Sequence, residues 1–173
     1  MADIWDNVVR DLMPELHLAV QEQRTNRFIT EKVGSPIEHA LIATLDILLT
    51  LRGLDVRYAR TPHDIPIQGA FIEPQAQIGN YRVDLLVGIF WPGSAPDLKD
   101  CVVIECDGHE WHEKTREQAA RDKARDRYIQ GEVHKVIHFT GSEIFRSPGT
   151  CANEAWKFMM AAYGNAMDKL PRA

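Results

Sequence analysis

The stretch Cys101–His112, Cys-Val-Val-Ile-Glu-Cys-Asp-Gly-His-Glu-Trp-His, decides the fold that this sequence predicts. It begins as a short apolar, β-branched run, which is typical of a buried strand. Side chains alternate between the two faces of a strand, so Glu105 and Asp107 should point to one side and Cys106 to the other. Gly108 then ends the strand.

The acidic side chains of this strand suggest a cation site. Two carboxylates on one face at the end of a buried strand repel each other and are poorly solvated, unless a cation such as a divalent metal ion lies between them. A third acid, Asp84, lies on the preceding predicted strand, and adjacent strands are about 4.8 Å apart, so Asp84 and Glu105 can share one ion. Alternatively, Asp84 forms a solvated ion pair with Arg82, two residues away on the same face.

Helices and strands alternate around this central stretch. Ser35, Pro36 and Glu38 form a capping-box pattern that predicts a helix start, and Gly53 predicts its end. The Gly79-Asn80 pair predicts a two-residue hairpin turn. The predicted helices span 2–30 (one or two helices), 36–52, 115–130, 140–145 and 151–170, with Gly131 ending the third, and the strands span 54–58, 71–78, 81–91, 101–107 and 134–139. This order predicts an α/β (α+β) fold.

Composition limits the classes of function. The 173 residues are 45% apolar and 26% charged, as in a globular domain. No run approaches the roughly 20 apolar residues that span a bilayer, and no basic-then-apolar signal begins the chain, so we expect a cytoplasmic protein without membrane partners. The three cysteines should be reduced. The net charge of −5 disfavours indiscriminate binding to a polyanion, unless positive charge gathers on one face or metal ions offset the acids.

Three motifs together resemble the PD-(D/E)XK nuclease superfamily: Ser35-Pro-Ile-Glu38, Gln77-Ile-Gly-Asn-Tyr-Arg-Val-Asp84 and Val103-Ile-Glu-Cys-Asp-Gly-His-Glu-Trp-His112. The last resembles the Glu-x-Asp-Gly-x-x-His run of the branch related to very-short-patch-repair endonucleases. The resemblance implies a restriction-endonuclease-like mixed sheet flanked by helices. It covers 33–146 as a nuclease-like core, and leaves 1–32 as an N-terminal helical extension and 147–173 as a C-terminal helix packed on the core.

The resemblance also implies a metal site. Asp84 and Glu105 would bind Mg²⁺ or Mn²⁺, with the carbonyl oxygen of Cys106 as a third ligand. Glu38 would be the acid from the preceding helix, although the capping box alone also explains this residue.

One position departs from the superfamily pattern. The usual lysine two residues after the central acid is Asp107 in this sequence. His112 is the preferred replacement, as a transition-state stabiliser or a general acid/base. Lys123, on the following helix, is a second candidate, and Asp107 could itself be a metal ligand.

These observations predict a metal-dependent endonuclease acting on DNA, in repair or restriction, in which a metal-activated water attacks a phosphodiester. The predicted catalytic residues are Glu38, Asp84, Glu105, Asp107 and His112. Lys114, Arg121 and Arg125 share one side of their helix and could contact phosphates, or they could form a solvated face.

Two other classes stay open. One is an inactive nuclease-fold domain that binds nucleic acid or a protein partner, which the acidic balance and the missing lysine favour. The other is a zinc module using Cys106, His109 and His112, which lacks a fourth ligand. The sequence does not predict the target structure, the choice between DNA and RNA, or whether the chain forms a homodimer.

Overall fold

A five-stranded mixed sheet lies at the centre of the computed structural model, which describes residues 31–60, 69–91, 95–108 and 116–169. In chain order the strands are β1 (Asp55–Arg57), β2 (Gly69–Pro74), β3 (Gln77–Ile78), β4 (Tyr81–Arg82), β5 (Leu85–Phe90), β6 (Val102–Asp107) and β7 (Lys135–Thr140). The sheet order is β1-β2-β5-β6-β7, with β3 and β4 paired separately. The outer pairs, β1–β2 and β6–β7, are parallel, and the inner pairs are antiparallel.

Helices cover both faces of this sheet. They are α1 (Pro36–Leu51), α2 (Arg116–Glu132), α3 (Gly141–Arg146) and α4 (Pro148–Asp168). One sheet face, here called the α4 face, packs against α1, α3 and α4. The other, the α2 face, packs against the β3–β4 hairpin and the C-terminal part of α2. The predicted α/β class is therefore confirmed as a mixed sheet flanked by helices.

The central strand alternates as its sequence predicts. Val102 and Ile104 face the α4 side, while Val103 faces the α2 side. Cys106 continues the α4-side series, because its side chain packs against that core. Glu105 therefore lies on the α2 face, where Arg125 of α2 donates a hydrogen bond to it. Both neighbours of β6 hold this register, β5 through Leu85 opposite Ile104 and β7 through residues 135–140.

The predicted hairpin is present, but each of its strands is interrupted. Gln75 has a φ of 56°, in the left-handed region that a residue with a side chain rarely adopts. The backbone N–H of Gln75 donates to the carbonyl oxygen of Asp84 at 2.7 Å. The backbone N–H of Val83 donates to the carbonyl oxygen of Ala76 at 2.9 Å. The register is therefore continuous from β2–β5 to β3–β4. The turn lies at Gly79-Asn80, as predicted.

Two local predictions about helix ends are wrong. Ser35 lies at the N-cap of α1, but its side chain makes no capping hydrogen bond, and Glu38 accepts one from Gln75 instead. The capping box is thus absent although α1 begins at Pro36 as predicted. Gly131 does not end α2, which continues to Glu132. The end of α1 before Gly53, whose φ is 79°, is confirmed.

Several predictions fall outside the described residues. They are the helices over 2–30, the residues His109, His112 and Lys114, and the first residue of the helix predicted over 115–130. The three cysteines are free thiols, as expected. Within the described ranges, no helix is both long and apolar enough to cross a bilayer.

Candidate functional site

The start of β5 and the end of β6 bring two predicted site residues together. Leu85 pairs with Ile104 in the antiparallel ladder, so Asp84, one residue before, lies beside Glu105, one residue after. Asp84 is held in place by the next residue of β6, because its Oδ2 accepts the Cys106 amide at 2.8 Å. Within the described ranges, Asp84 and Arg82 do not form the alternative ion pair. The Asp84 carboxylate instead accepts a hydrogen bond from the neighbouring strand β6.

Among the predicted site residues that the structure describes, Glu105 is the most deeply buried. Its side chain is 8% exposed, and its Oε1 accepts from Nη2 of Arg125 at 2.6 Å. Burial and, secondly, the charge of Asp84 raise the pKa of Glu105 to about 7, against the lowering effects of Arg125 and His138. A carboxyl group with this pKa lies in the range where groups exchange protons near neutral pH.

Glu38 reaches the same end of the sheet from the first turn of α1. Its Oε2 accepts from Nε2 of Gln75 at 2.9 Å. Burial, followed by the charge of Asp84, raises the pKa of Glu38 above its ordinary value, while Gln75 and Arg82 oppose this rise. Glu38, Asp84 and Glu105 therefore form one electrostatically coupled group, contributed by α1, β5 and β6.

Asp107 lies apart from this group, at the exposed end of β6. Its side chain is 55% exposed, and its Oδ2 lies 3.3 Å from Nδ1 of His138 on β7. The two acids of β6 do point away from the Cys106 side, as the alternation predicts, but they have different partners. His138 lies directly across the parallel ladder from Glu105, which places it on the rim of the same group.

The basic residues of α2 have different surroundings. Arg125 contacts Glu105, whereas Arg121 is exposed and its Nε donates to the carbonyl oxygen of Glu117. Lys123, the candidate for the migrated lysine, is also exposed.

Sequence reasoning missed Gln75 and His138, and it did not predict the contact between Arg125 and Glu105. Gln75 gave no signal, because its contact with Glu38 joins residues that are 37 positions apart in the chain. Arg125 appeared only as a phosphate contact, since helical spacing does not show which strand a helix crosses. His138 had a signal in the sequence: it is a polar residue that alternates with Ile137 and Phe139, whose side chains face the α4 side.

The donor chemistry of the acidic group suits a hard divalent cation. Carboxylate oxygens are the ligands that Mg²⁺ prefers, and a cation would stabilise the ionised form of Glu105, which burial and then the charge of Asp84 disfavour. Among the described residues, however, no group of three or more acidic, histidine or cysteine side chains is arranged to hold a metal ion. Arg125 is the cation in contact with Glu105 in this arrangement.

The thiol of Cys106 is unsuited to the zinc alternative. Burial, and then the charge of Asp84, raises its pKa well above the ordinary value, which disfavours the thiolate that binds zinc. Its side chain also packs into the α4-side core. A contribution to a metal site through its backbone carbonyl is unaffected by either property.

Comparison of the chain with protein families, with curated proteins and with solved structures found no match.

Proposed function

We propose that this protein is a metal-dependent endonuclease that hydrolyses DNA phosphodiester bonds, on a restriction-endonuclease-like core. The observation that carries the proposal is the placement of Asp84 and Glu105 side by side at the end of two antiparallel strands. Burial, and then the charge of Asp84, raises the pKa of Glu105. A bound cation would stabilise the ionised pair of carboxylates, which supports the proposal of a metal site. DNA as the partner and a cytoplasmic location are parts of the same proposal.

The proposal gives each side chain of the site a role. Asp84 and Glu105 would hold Mg²⁺ or Mn²⁺, with the Cys106 carbonyl as a further ligand. When bound, such an ion polarises a phosphoryl oxygen and lowers the pKa of a bound water. Glu38, held by Gln75, would orient that water through its carboxylate.

The replacement for the missing lysine is also part of the proposal. His112 would transfer a proton or stabilise the transition state. Asp107 would position groups at the rim of the site, where it contacts His138.

A second candidate is an inactive nuclease-fold domain that binds nucleic acid or a protein partner. It is favoured by one specific observation: Arg125 already neutralises Glu105 at 2.6 Å. A site whose acid is satisfied by a protein cation needs no metal ion to be stable. Such a domain would retain the fold without nuclease activity.

Cleavage of supercoiled plasmid and of linear duplex DNA, with Mg²⁺ or Mn²⁺, separates the two candidates. We expect cleavage by the wild type that disappears on chelation, and loss of about a hundredfold or more in rate for Asp84→Asn and Glu105→Gln. Glu154→Gln, which removes an exposed charge from α4, is the control and should leave the rate unchanged. Equal rates in the wild type and Glu105→Gln would reject the proposed site. Absence of cleavage with either metal, together with retained DNA binding, would favour the inactive domain.

A further inference from the structure

The guanidinium of Arg125 joins two strands at the acidic group. Its Nη2 donates to Oε1 of Glu105 at 2.6 Å and to the carbonyl oxygen of Arg82 at 2.8 Å. Its Nη1 lies 3.4 Å from Oδ1 of Asp126, the next residue of α2. Arg125 thus links α2 to the end of β4 and to the inner strand β6.

The position of Arg125 is fixed by the helix that carries it. Ile129, one turn later in α2, is fully buried in the core of the α2 face. The Arg125 side chain is 26% exposed, against 8% for Glu105. Burial alone would lower the pKa of Arg125, but the hydrogen bond and charge of Glu105 raise it above the ordinary value. The guanidinium is therefore a permanently charged partner, which no change of pH near neutrality removes.

The geometry points to a counter-ion role for Arg125: its guanidinium is a resident counter-ion that a divalent cation must displace from Glu105. This inference rests on the proposed function. The guanidinium contacts Glu105 Oε1, one of the oxygens that a metal ion would use. A guanidinium and a divalent ion on one carboxylate repel each other strongly in a partly buried site. The carbonyl of Arg82 gives the side chain a second acceptor, so the displaced guanidinium keeps one hydrogen bond.

This role makes metal affinity depend on a residue that is not a ligand. Removing the guanidinium should strengthen metal binding, because the ion then competes with no protein cation. Removing an ordinary positive charge nearby should have a smaller effect, because that charge acts only over distance through solvent. The two changes can be compared on the same helix.

Calorimetric titration of Mn²⁺ into the full chain, without DNA, tests the role. Wild type is compared with Arg125→Met and with Arg121→Met as the matched control. Arg121 lies one turn before Arg125 and is exposed. Its Nε donates a hydrogen bond to the carbonyl oxygen of Glu117 rather than to an acid of the site. We expect Arg125→Met to bind Mn²⁺ about tenfold to a hundredfold more tightly than wild type, as loss of a charge-assisted competitor implies. Arg121→Met should stay within about threefold of wild type.

A second variant covers loss of folding in Arg125→Met, which circular dichroism would reveal. In Arg125→Lys the ammonium keeps the charge but cannot hold Glu105 and the Arg82 carbonyl with one planar group. Its Mn²⁺ affinity should lie between those of wild type and Arg125→Met, above the wild-type value.

The outcomes separate this role from the proposed function. If wild type binds Mn²⁺ but neither Arg125 variant binds it more tightly than Arg121→Met, the counter-ion role is wrong and the metal site stands. If no protein binds Mn²⁺, even with duplex DNA present, the proposed function is rejected and the counter-ion role with it. Tighter binding in Arg125→Met, including binding seen only in that variant, supports both.

Discussion

Replacing Glu105 by glutamine changes a buried charge while keeping nearly the same volume, and its effect on stability should depend on pH. Burial and the charge of Asp84 raise the pKa of Glu105 from 4.5 to about 7. The folded protein therefore binds this proton more strongly than the unfolded chain does. The free energy of unfolding of the wild type falls as the pH rises from the unfolded pKa through the folded pKa.

The size of this effect follows from the two pKa values. The rise from 4.5 to about 7 corresponds to about 3 kcal/mol in total. Most of that cost develops between pH 5 and pH 9. Glutamine carries no charge, so Glu105→Gln avoids the cost. At pH 5, where the folded wild type has this carboxyl protonated, the two proteins should differ by less than about 1 kcal/mol.

Urea unfolding at pH 5, 7 and 9, followed by circular dichroism, measures the difference. We expect the stability of Glu105→Gln relative to wild type to increase by roughly 2–3 kcal/mol from pH 5 to pH 9. Glu154→Gln removes an exposed charge and should show a nearly constant difference. A constant difference for Glu105→Gln would refute the reasoning. Lower stability of this variant at pH 9 would mean that the Arg125 ion pair outweighs burial.

Three further predictions concern the charge beside Glu105, the backbone at Gln75 and the tolerance of two glycines for a methyl group. Asp84→Asn keeps an acceptor for the β6 amide but loses the charge, so the pKa of Glu105 should fall, as NMR titration of the carboxyl carbon would show. Gln75→Gly should be about 1 kcal/mol more stable than Gln75→Ala in urea unfolding, because both lose the side-chain bond but only alanine strains a φ of 56°. Gly88→Ala should lower stability by about 1–3 kcal/mol, because its methyl group would lie 2.6 Å from an aromatic carbon, whereas Gly164→Ala in α4 meets nothing and should raise thermal stability by up to about 1 kcal/mol.

The elements of the fold that depend on local pattern could be predicted from the sequence. A β-branched apolar run that leads into the two acids predicts the strand 101–107, and β6 spans Val102–Asp107. The start of α1 was predicted because proline fits the first helical position, and Gly79-Asn80 because this pair suits a tight turn. Each of these signals lies within a few neighbouring residues, so no knowledge of tertiary contacts was needed.

Predictions that depend on contacts between distant elements failed or were missed. The Ser35–Glu38 capping box fits the local rule, but Gln75, far along the chain, takes the Glu38 carboxylate. Gly131 could end a helix, yet α2 continues past it because Ile129 and Val133 are buried on the α2 face. The contact of Arg125 with Glu105 depends on how α2 crosses the sheet. The sequence shows the acids, and the tertiary structure shows what neutralises them.

The alternation of β6 has a consequence for how this chain tolerates insertions and deletions. Adding one residue within β6 would turn Glu105 and Asp107 toward the α4 side and place Cys106 on the opposite face. Such a change would bury the carboxylates of Glu105 and Asp107 among apolar side chains. It would also move both carboxylates away from Asp84. A change of length in the connection between β5 and β6 leaves both strands in register and preserves the site. Length variants among related chains should therefore concentrate in that connection, and the acidic group should be kept or lost as a unit.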